Sequence, residues 1–350
     1  MTEKKKKLAQ ILNRDNEHIY KNLINDLHAL KSCTILITGA KGFLGKTVIS
    51  FLNYINKTKL RESEKINIIA IDYEDFDICK PLNNFVKKEK IDYIINFAGI
   101  ASPKKYLQKP VETLDVSYLG TKNVLELARD RGTKSVLMFS SSEVYGTPNP
   151  ENIPTGEDYV GSVTTFGNRS CYDIGKNVLE TLSYVYHDVY DVPVNVIRPF
   201  NLYGPLMNTD DGRIIANICK SMINGTKFLI YGNGQQTRTY CYVADAVVFM
   251  LKVLLLDKFG EIYNIGSEED ELSATEVTRH AYDLVRPEGS SYLVAPHPDD
   301  YPDNEPLRRK PDISKVKAAT GYAPRYKFED GFMSCFSAFE DILMEAQCLD

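Results

Sequence analysis

Residues 38–45 read TGAKGFLG, directly after the apolar run Thr34-Ile35-Leu36-Ile37. In a strand-to-helix turn, three glycines at GxxGxxG spacing have separable jobs. The first permits the tight turn, the second lets the backbone approach a pyrophosphate, and the third lets helix pack closely on strand, with the helix N-terminus facing the anion. Gly39, Gly42 and Gly45 fit those jobs. Such turns also occur without any ligand, so the weight comes from the surroundings. This turn follows the first strand of the pattern, and the second candidate strand, INIIAI (66–71), runs into Asp72. A carboxylate there can accept hydrogen bonds from both hydroxyls of an adenosine ribose and would repel a 2′-phosphate, which favours NAD over NADP.

Working outward, further strand candidates are YIINFA (93–98), SVLMFS (135–140) and VNVIRPF (194–200). Between the strands lie helical patterns such as GFLGKTVISFLNYIN and YDIGKNVLETLSYVYHDVY. That alternation predicts an α/β fold, a doubly wound parallel sheet with helices on both faces. After Gly204-Pro205 the pattern changes to a helix near 212–224, short strands at FLIYG and EIYNIG, and a Pro- and Asp-rich loop, APHPDDYPDNEP. We read 33–203 as the nucleotide-binding domain and 204–350 as a smaller, interleaved substrate-binding domain, with about 236–265 returning to the first. Ahead of both, Leu8, Ile11, Leu12, Ile19, Leu23 and Leu27 recur at helical spacing. Residues 1–32 are therefore read as an amphipathic leader, helical over 5–30, packed on the body or on a partner subunit.

The 350 residues are 43% apolar and carry 42 basic against 47 acidic side chains, a net charge of -5. No broad electropositive surface is expected, which argues against nucleic acid as a partner. The leader is punctuated by charges and cannot be a signal h-region or a membrane span. Seven scattered cysteines, with no CxxC pair and no zinc-ligand spacing to the five histidines, imply reduced packing thiols, no metal site and a cytoplasmic location.

A second constellation carries chemistry. SSSEVYG follows the strand SVLMFS, and CYDIGKN places Tyr172 and Lys176 four residues apart, on one helix face. An ammonium beside a phenol favours the phenolate and would move the tyrosine pKa from about 10 toward neutrality, as a general base for an alcohol requires.

TGAKGFLG, NFAG, SSSEVYG, YxxxK and RPFNLYGP, in that order, resemble the extended short-chain dehydrogenase/reductase superfamily of nucleotide-sugar enzymes, over nearly everything after residue 33. Within it, ASPKKY, GEDYVG, RSCYDIGK, DGRIIAN, YGNGQQTR and RRKPDI look like segments of the UDP-glucuronate decarboxylase (UDP-xylose synthase) family. The resemblance implies a Rossmann-like fold, bound NAD and a UDP-linked uronic acid as substrate. It also implies a homodimer in which helices near 111–130 and 173–188 pair with their copies. Tyr172 would take the proton of the sugar 4-hydroxyl, Lys176 would hold the tyrosine and the nicotinamide ribose, and Ser141 would bond the 4-oxygen. Ser142 and Glu143 would lie beside the sugar carboxylate, and Arg309 would reach in from the C-terminal lobe. Besides the glycines and Asp72, the resemblance puts Phe43, Leu44, Asp77, Ile78, Ala98, Asn201 and Arg213 on the cofactor side. Ser102, Tyr106, Arg169 and, on its substrate side, Asn201 again face the sugar in that scheme, and Arg238 the diphosphate. Arg308 reads as a solvated surface charge.

Ser142 separates the relatives. Sugar-nucleotide 4,6-dehydratases have aspartate there to expel the 6-hydroxyl, and a 4-epimerase usually lacks a glutamate at 143. The chain also departs from the family. Ser117 replaces an asparagine, Leu206 replaces an arginine, and Asp72 to Asp77 is too short for a helix and strand. Either that unit is deleted or the second strand is misassigned. RPFN also resembles the UDP-apiose/xylose synthases, and an NAD-binding regulator without chemistry is a further alternative.

Overall fold

The computed structural model describes residues 3–87, 89–269, 271–296 and 306–347; most of the loop 295–306, and Cys348, lie outside them. The five runs form strands β1 (Thr34–Thr38), β2 (Asn67–Ile71), β3 (Tyr93–Asn96), β4 (Ser135–Phe139) and β5 (Val194–Pro199). With Ile262–Ile265 they make one six-stranded sheet in the order 262–265, β5, β4, β3, β1, β2, and every neighbouring pair is parallel. Parallel strands covered on both faces need near-continuous apolar runs, and β3 and β4 are buried at every residue.

From β1 the chain steps outward to β2 and then returns to β3 on the other side of β1, so strand order reverses between β1 and β3. Ligands of open α/β sheets bind at the carboxyl ends of strands beside such a reversal. There the Thr38 hydroxyl donates to the Asn96 amide oxygen at 2.5 Å. No strand lies beyond β2 among the described residues. The second strand is therefore correctly placed, and the unit between Asp72 and Asp77 is the part that is missing.

The leader begins as α1 (Glu3–Leu23) and ends in a 3-10 turn, Leu27–Leu30, instead of running as one helix to residue 30. It packs on the body. Ile19 and Leu23 are fully buried, each worth roughly 1.5–3 kcal/mol relative to exposure. Asp15 anchors it by accepting hydrogen bonds from the phenols of Tyr242 at 2.6 Å and Tyr326 at 3.1 Å. Beneath it, the helix Val243–Leu254 is buried at every position but Lys252. A helix apolar all round needs cover on all sides, and α1 supplies one of them.

The C-terminal part adds a helix, Ile214–Ile223, and a parallel pair, Lys227–Tyr231 with Ser291–Ala295. A small sheet joins Thr237–Arg238 to Arg308–Arg309 and to Leu272–Ser273, and this pairing sets Arg309 beside Arg238.

Candidate active site

The glycine turn leads from β1 into α2 (Phe43–Thr58). Gly39 has φ +65°, and a Cβ there would meet the Ala98 nitrogen at 2.8 Å, so the turn lies against the end of β3. A Cβ on Gly45 would lie 2.4 Å from the Gly39 carbonyl oxygen, which is the close helix-on-strand approach assigned to the third glycine. Gly42 and Lys41 are exposed, leaving the turn open toward solvent. Asp72 ties the turn down: one carboxylate oxygen accepts the Lys41 backbone N–H at 2.7 Å and the other the Tyr73 N–H at 2.8 Å. Asp77 accepts the Cys79 N–H at 3.0 Å, and Ile78 is buried against Gly120. Past β5, Asn201 takes a left-handed φ of 39°, and its buried amide nitrogen has no hydrogen-bond partner. An open glycine cradle and an orphaned amide donor in strained backbone fit a dinucleotide.

Tyr172 and Lys176 lie on the first two turns of the helix Ser170–Tyr190, and both are buried. Burial pushes the Tyr172 phenol up to about 12, while its hydrogen bond with Ser141 pulls the other way. Packing of the chain alone therefore does not move the phenol toward neutrality. The Lys176 ammonium donates to the Phe139 carbonyl at 2.6 Å and lies 5.7 Å from the Tyr172 ring centre, and desolvation outweighs any charge effect on the phenol. Burial also lowers Lys176 to about 8, opposed by the carboxylate of Glu180 one turn on. Tyr106 stacks on Tyr172 with ring centres 5.1 Å apart and planes 18° from parallel.

Beside this pair lies a carboxylate between two guanidinium groups. Glu143 sits in the short turn Ser142–Tyr145 after β4, where the Ser141 hydroxyl accepts its N–H. Arg309 donates to both Glu143 oxygens, at 2.7 and 2.8 Å, and Arg169 donates to one at 2.8 Å. Burial alone would raise the Glu143 pKa, but Arg309 and Arg169 hold it below the ordinary carboxylate value. The charge of Arg238 acts in the same direction; its guanidinium also donates to the Thr237 carbonyl at 2.8 Å. A cleft of about 650 Å³ opens over Glu143, Arg169 and Asp173 and is also lined by residues 162–164, 166–168 and Pro306.

The fold thus gathers Ser141, Glu143, Arg169, Tyr172, Lys176 and Arg309 around one site, with Ser142 buried beside Glu143. Arg213 forms a two-pronged pair with Asp211 at 2.6 Å, and its charge is felt at the Tyr172 phenol. The Ser102 hydroxyl donates to the Asp211 carbonyl at 3.4 Å. Arg308 pairs with Glu271 near the surface, outside the cluster. Phe43 and Leu44 open α2 half-buried, and Ala98 follows β3. Ser117 donates to the Thr113 carbonyl within its own helix, and a Cβ on Gly175 would strike it at 2.7 Å, so Ser117 and Gly175 pack two helices together.

Sequence reasoning missed two features. Asp173 is a buried acid in the cleft wall. Arg198, from the RPFN segment, pairs with Glu180 at 2.8 and 2.6 Å and donates to the Tyr145 phenol at 2.8 Å, bracing the strand end behind Ser141. The Glu180 position, one turn after Lys176, was the available signal.

The model of the NAD dependent epimerase/dehydratase family matches residues 35–266. Among curated relatives, UDP-glucuronic acid decarboxylase 6 of Arabidopsis thaliana is 36% identical over 309 residues, 85% of this chain and 86% of the relative. UDP-glucuronic acid decarboxylase 1 of Xenopus tropicalis is 34% identical over 85% of this chain and 70% of its own length. Among solved structures, Thermotoga maritima UDP-glucose 4-epimerase superposes with a TM-score of 0.76 at 20% identity, covering 89% of this chain and 99% of that one. Streptomyces venezuelae dTDP-glucose 4,6-dehydratase with NAD bound gives 0.74 at 21%, covering 90% and 98%. At those identities the two structures speak for the Rossmann-like fold alone. With the decarboxylase relatives aligned over most of its length and the glycine cradle in place, the chain belongs to the NAD dependent epimerase/dehydratase family, the extended short-chain dehydrogenases/reductases, and is similar within it to the UDP-glucuronic acid decarboxylases.

Proposed function

We propose that this chain, with NAD in the cradle formed by Gly39, Gly42 and Gly45, converts UDP-glucuronate to UDP-xylose and carbon dioxide. The observation that carries the proposal is the Arg309–Glu143–Arg169 cluster beside Tyr172, where two guanidinium groups converge on the Glu143 carboxylate at the wall of the cleft, within reach of a second carboxylate. The names of the curated relatives support the same reaction.

Bound NAD supplies a reversible hydride acceptor for the sugar C4. The rest is work for the chain's own side chains. Tyr172 accepts the proton of the 4-hydroxyl as the phenolate, a form that burial alone opposes and that the Lys176 ammonium and the positive charge of bound NAD would favour; Ser141 is bonded to the phenol and would bond the 4-oxygen. Lys176, fixed on the Phe139 carbonyl, keeps a positive charge near that proton transfer. Once C4 is a ketone, the C6 carboxylate belongs to a β-keto acid. The C5–C6 bond breaks, carbon dioxide leaves, and the electron pair passes into an enolate stabilised by the C4 oxygen. A proton added at C5 and reduction at C4 complete UDP-xylose. Arg309 and Arg169 orient the carboxylate, and Arg238 takes the diphosphate. Ser142 offers no acid for expelling a 6-hydroxyl, which disfavours dehydration.

The test is a product profile. Purified protein given UDP-glucuronate is expected to release carbon dioxide and UDP-xylose, followed by mass spectrometry and NMR. A branched pentose would point to the apiose-forming chemistry of the RPFN relatives. Recovery of UDP-galacturonate, or no reaction, would defeat the decarboxylase reading.

The homodimer belongs to the same proposal. Val111, Leu114 and Tyr118 on one helical stretch, and Tyr184 and Val189 on Ser170–Tyr190, are 66, 41, 48, 62 and 60% exposed. These two segments pack against each other, so their outer faces form one apolar surface of the kind a symmetric four-helix interface covers. Light scattering should give twice the chain mass at micromolar concentration, and Tyr184→Glu together with Val189→Glu should give the monomer. A monomeric wild type would refute the dimer. A cytoplasmic location is proposed with it, consistent with six unpaired cysteines among the described residues.

A further inference from the structure

Asp173 follows Tyr172 in the first turn of its helix, lines the cleft and is 8% exposed. One of its carboxyl oxygens is buried without any hydrogen-bond partner, and the other lies 3.9 Å from the Arg169 Nε, too far for a hydrogen bond. Glu143, by contrast, accepts three short bonds from Arg309 and Arg169. The titratable and charged groups facing Asp173 are Cys171, Tyr172 and Arg169 from its own helix and its start, Glu143 from the turn after β4, Arg309 from the C-terminal lobe, and the Tyr106 phenol.

The charges of this cluster balance only while the cleft has no acidic ligand. Two ionised carboxylates, Glu143 and Asp173, face the guanidinium groups of Arg169 and Arg309; the charge of Arg238 also reaches Glu143, but in the proposed function it is taken by the diphosphate. A uronic acid adds a third carboxylate beside these largely buried groups, and an uncompensated charge there is costly. Protonating one carboxylate restores the balance, and the one with no donors surrenders its charge most readily.

We infer, resting on the decarboxylase reading above, that Asp173 takes up one proton when the carboxylate of a uronic acid enters the cleft. Burial and the neighbouring Glu143 already raise this carboxyl to about 6, so near neutrality it is ionised but close to protonation. The net reaction also consumes one proton, since C5 gains hydrogen as the carboxylate leaves as carbon dioxide. A cleft that loads a proton on binding begins the reaction with that balance met.

The experiment uses full-length Tyr172→Phe protein with NAD, which holds UDP-glucuronate without turnover. Isothermal titration near pH 7.5, in two buffers of different ionisation enthalpy, counts protons taken up on binding. UDP-glucuronate should take up close to one proton more than UDP-xylose, which has no carboxylate. UDP-glucuronate affinity should fall up to about tenfold per pH unit above 6. Asp173→Asn, which keeps the shape of the protonated acid, should abolish the extra uptake and flatten the pH dependence. Equal uptake for the two sugars would overturn the inference even if the variant failed to fold, and so would full uptake by the asparagine variant. If UDP-glucuronate does not bind at all, the decarboxylase reading falls and this inference falls with it.

Discussion

Tyr172→Phe is expected to cut turnover of UDP-glucuronate by about 10³-fold while leaving NAD bound. The phenyl ring keeps the stack on Tyr106 and the fill of a pocket in which Tyr172 is 8% exposed, so the fold loses little. What disappears is the phenol oxygen proposed to accept the 4-hydroxyl proton, together with its hydrogen bond with Ser141. Lys176 cannot take over, because its ammonium is committed to the Phe139 carbonyl and is charged at neutral pH. NAD released on denaturation should match the wild type, and UDP-xylose formation should fall in both single and multiple turnovers. Turnover within tenfold of wild type would remove Tyr172 from the proton transfer.

Local features of this site were legible before any coordinates. The glycine turn and the five β-strands follow from short-range pattern: apolar runs of strand length, each closed by turn residues. YxxxK correctly put Tyr172 and Lys176 on one helix face. The same spacing could not supply the phenol's pKa, because desolvation depends on everything packed around the ring. Arg309 and Glu143 lie 166 residues apart, and no periodicity joins them; only the resemblance brought them together. Asp173 escaped because an acid in a first helical turn reads as a partner for the helix dipole. The cleft it lines is completed by residues 162–164, 166–168 and Pro306, outside its own helix. The gap after Asp72 stayed ambiguous because a missing strand leaves no residues to interpret, and the sheet order was needed to show that β2 is the edge.

Arg309→Ala should separate what this residue does for the fold from what it does for the substrate. Removing it deprives the Glu143 carboxylate, whose side chain is 18% exposed, of two short hydrogen bonds and leaves it to Arg169; breaking a fully buried pair typically costs about 3–5 kcal/mol, so a loss toward the lower end is expected. The sign of the pH dependence follows from Glu143, whose folded pKa lies below its ordinary 4.5. Its contribution to stability is present above about pH 4.5 and is lost as the pH falls through the lowered folded value. The melting-temperature gap between wild type and variant should therefore be widest near neutral pH and shrink in acid. Adding Glu143→Gln to Arg309→Ala removes the uncompensated charge and should recover much of the lost stability. It should not recover binding of UDP-glucuronate, which loses about 3 kcal/mol, or roughly 10²-fold, with the guanidinium, whereas UDP-xylose should lose far less. If the double variant binds UDP-glucuronate like the wild type, Arg309 serves only to neutralise Glu143, and the uronic carboxylate must be held elsewhere.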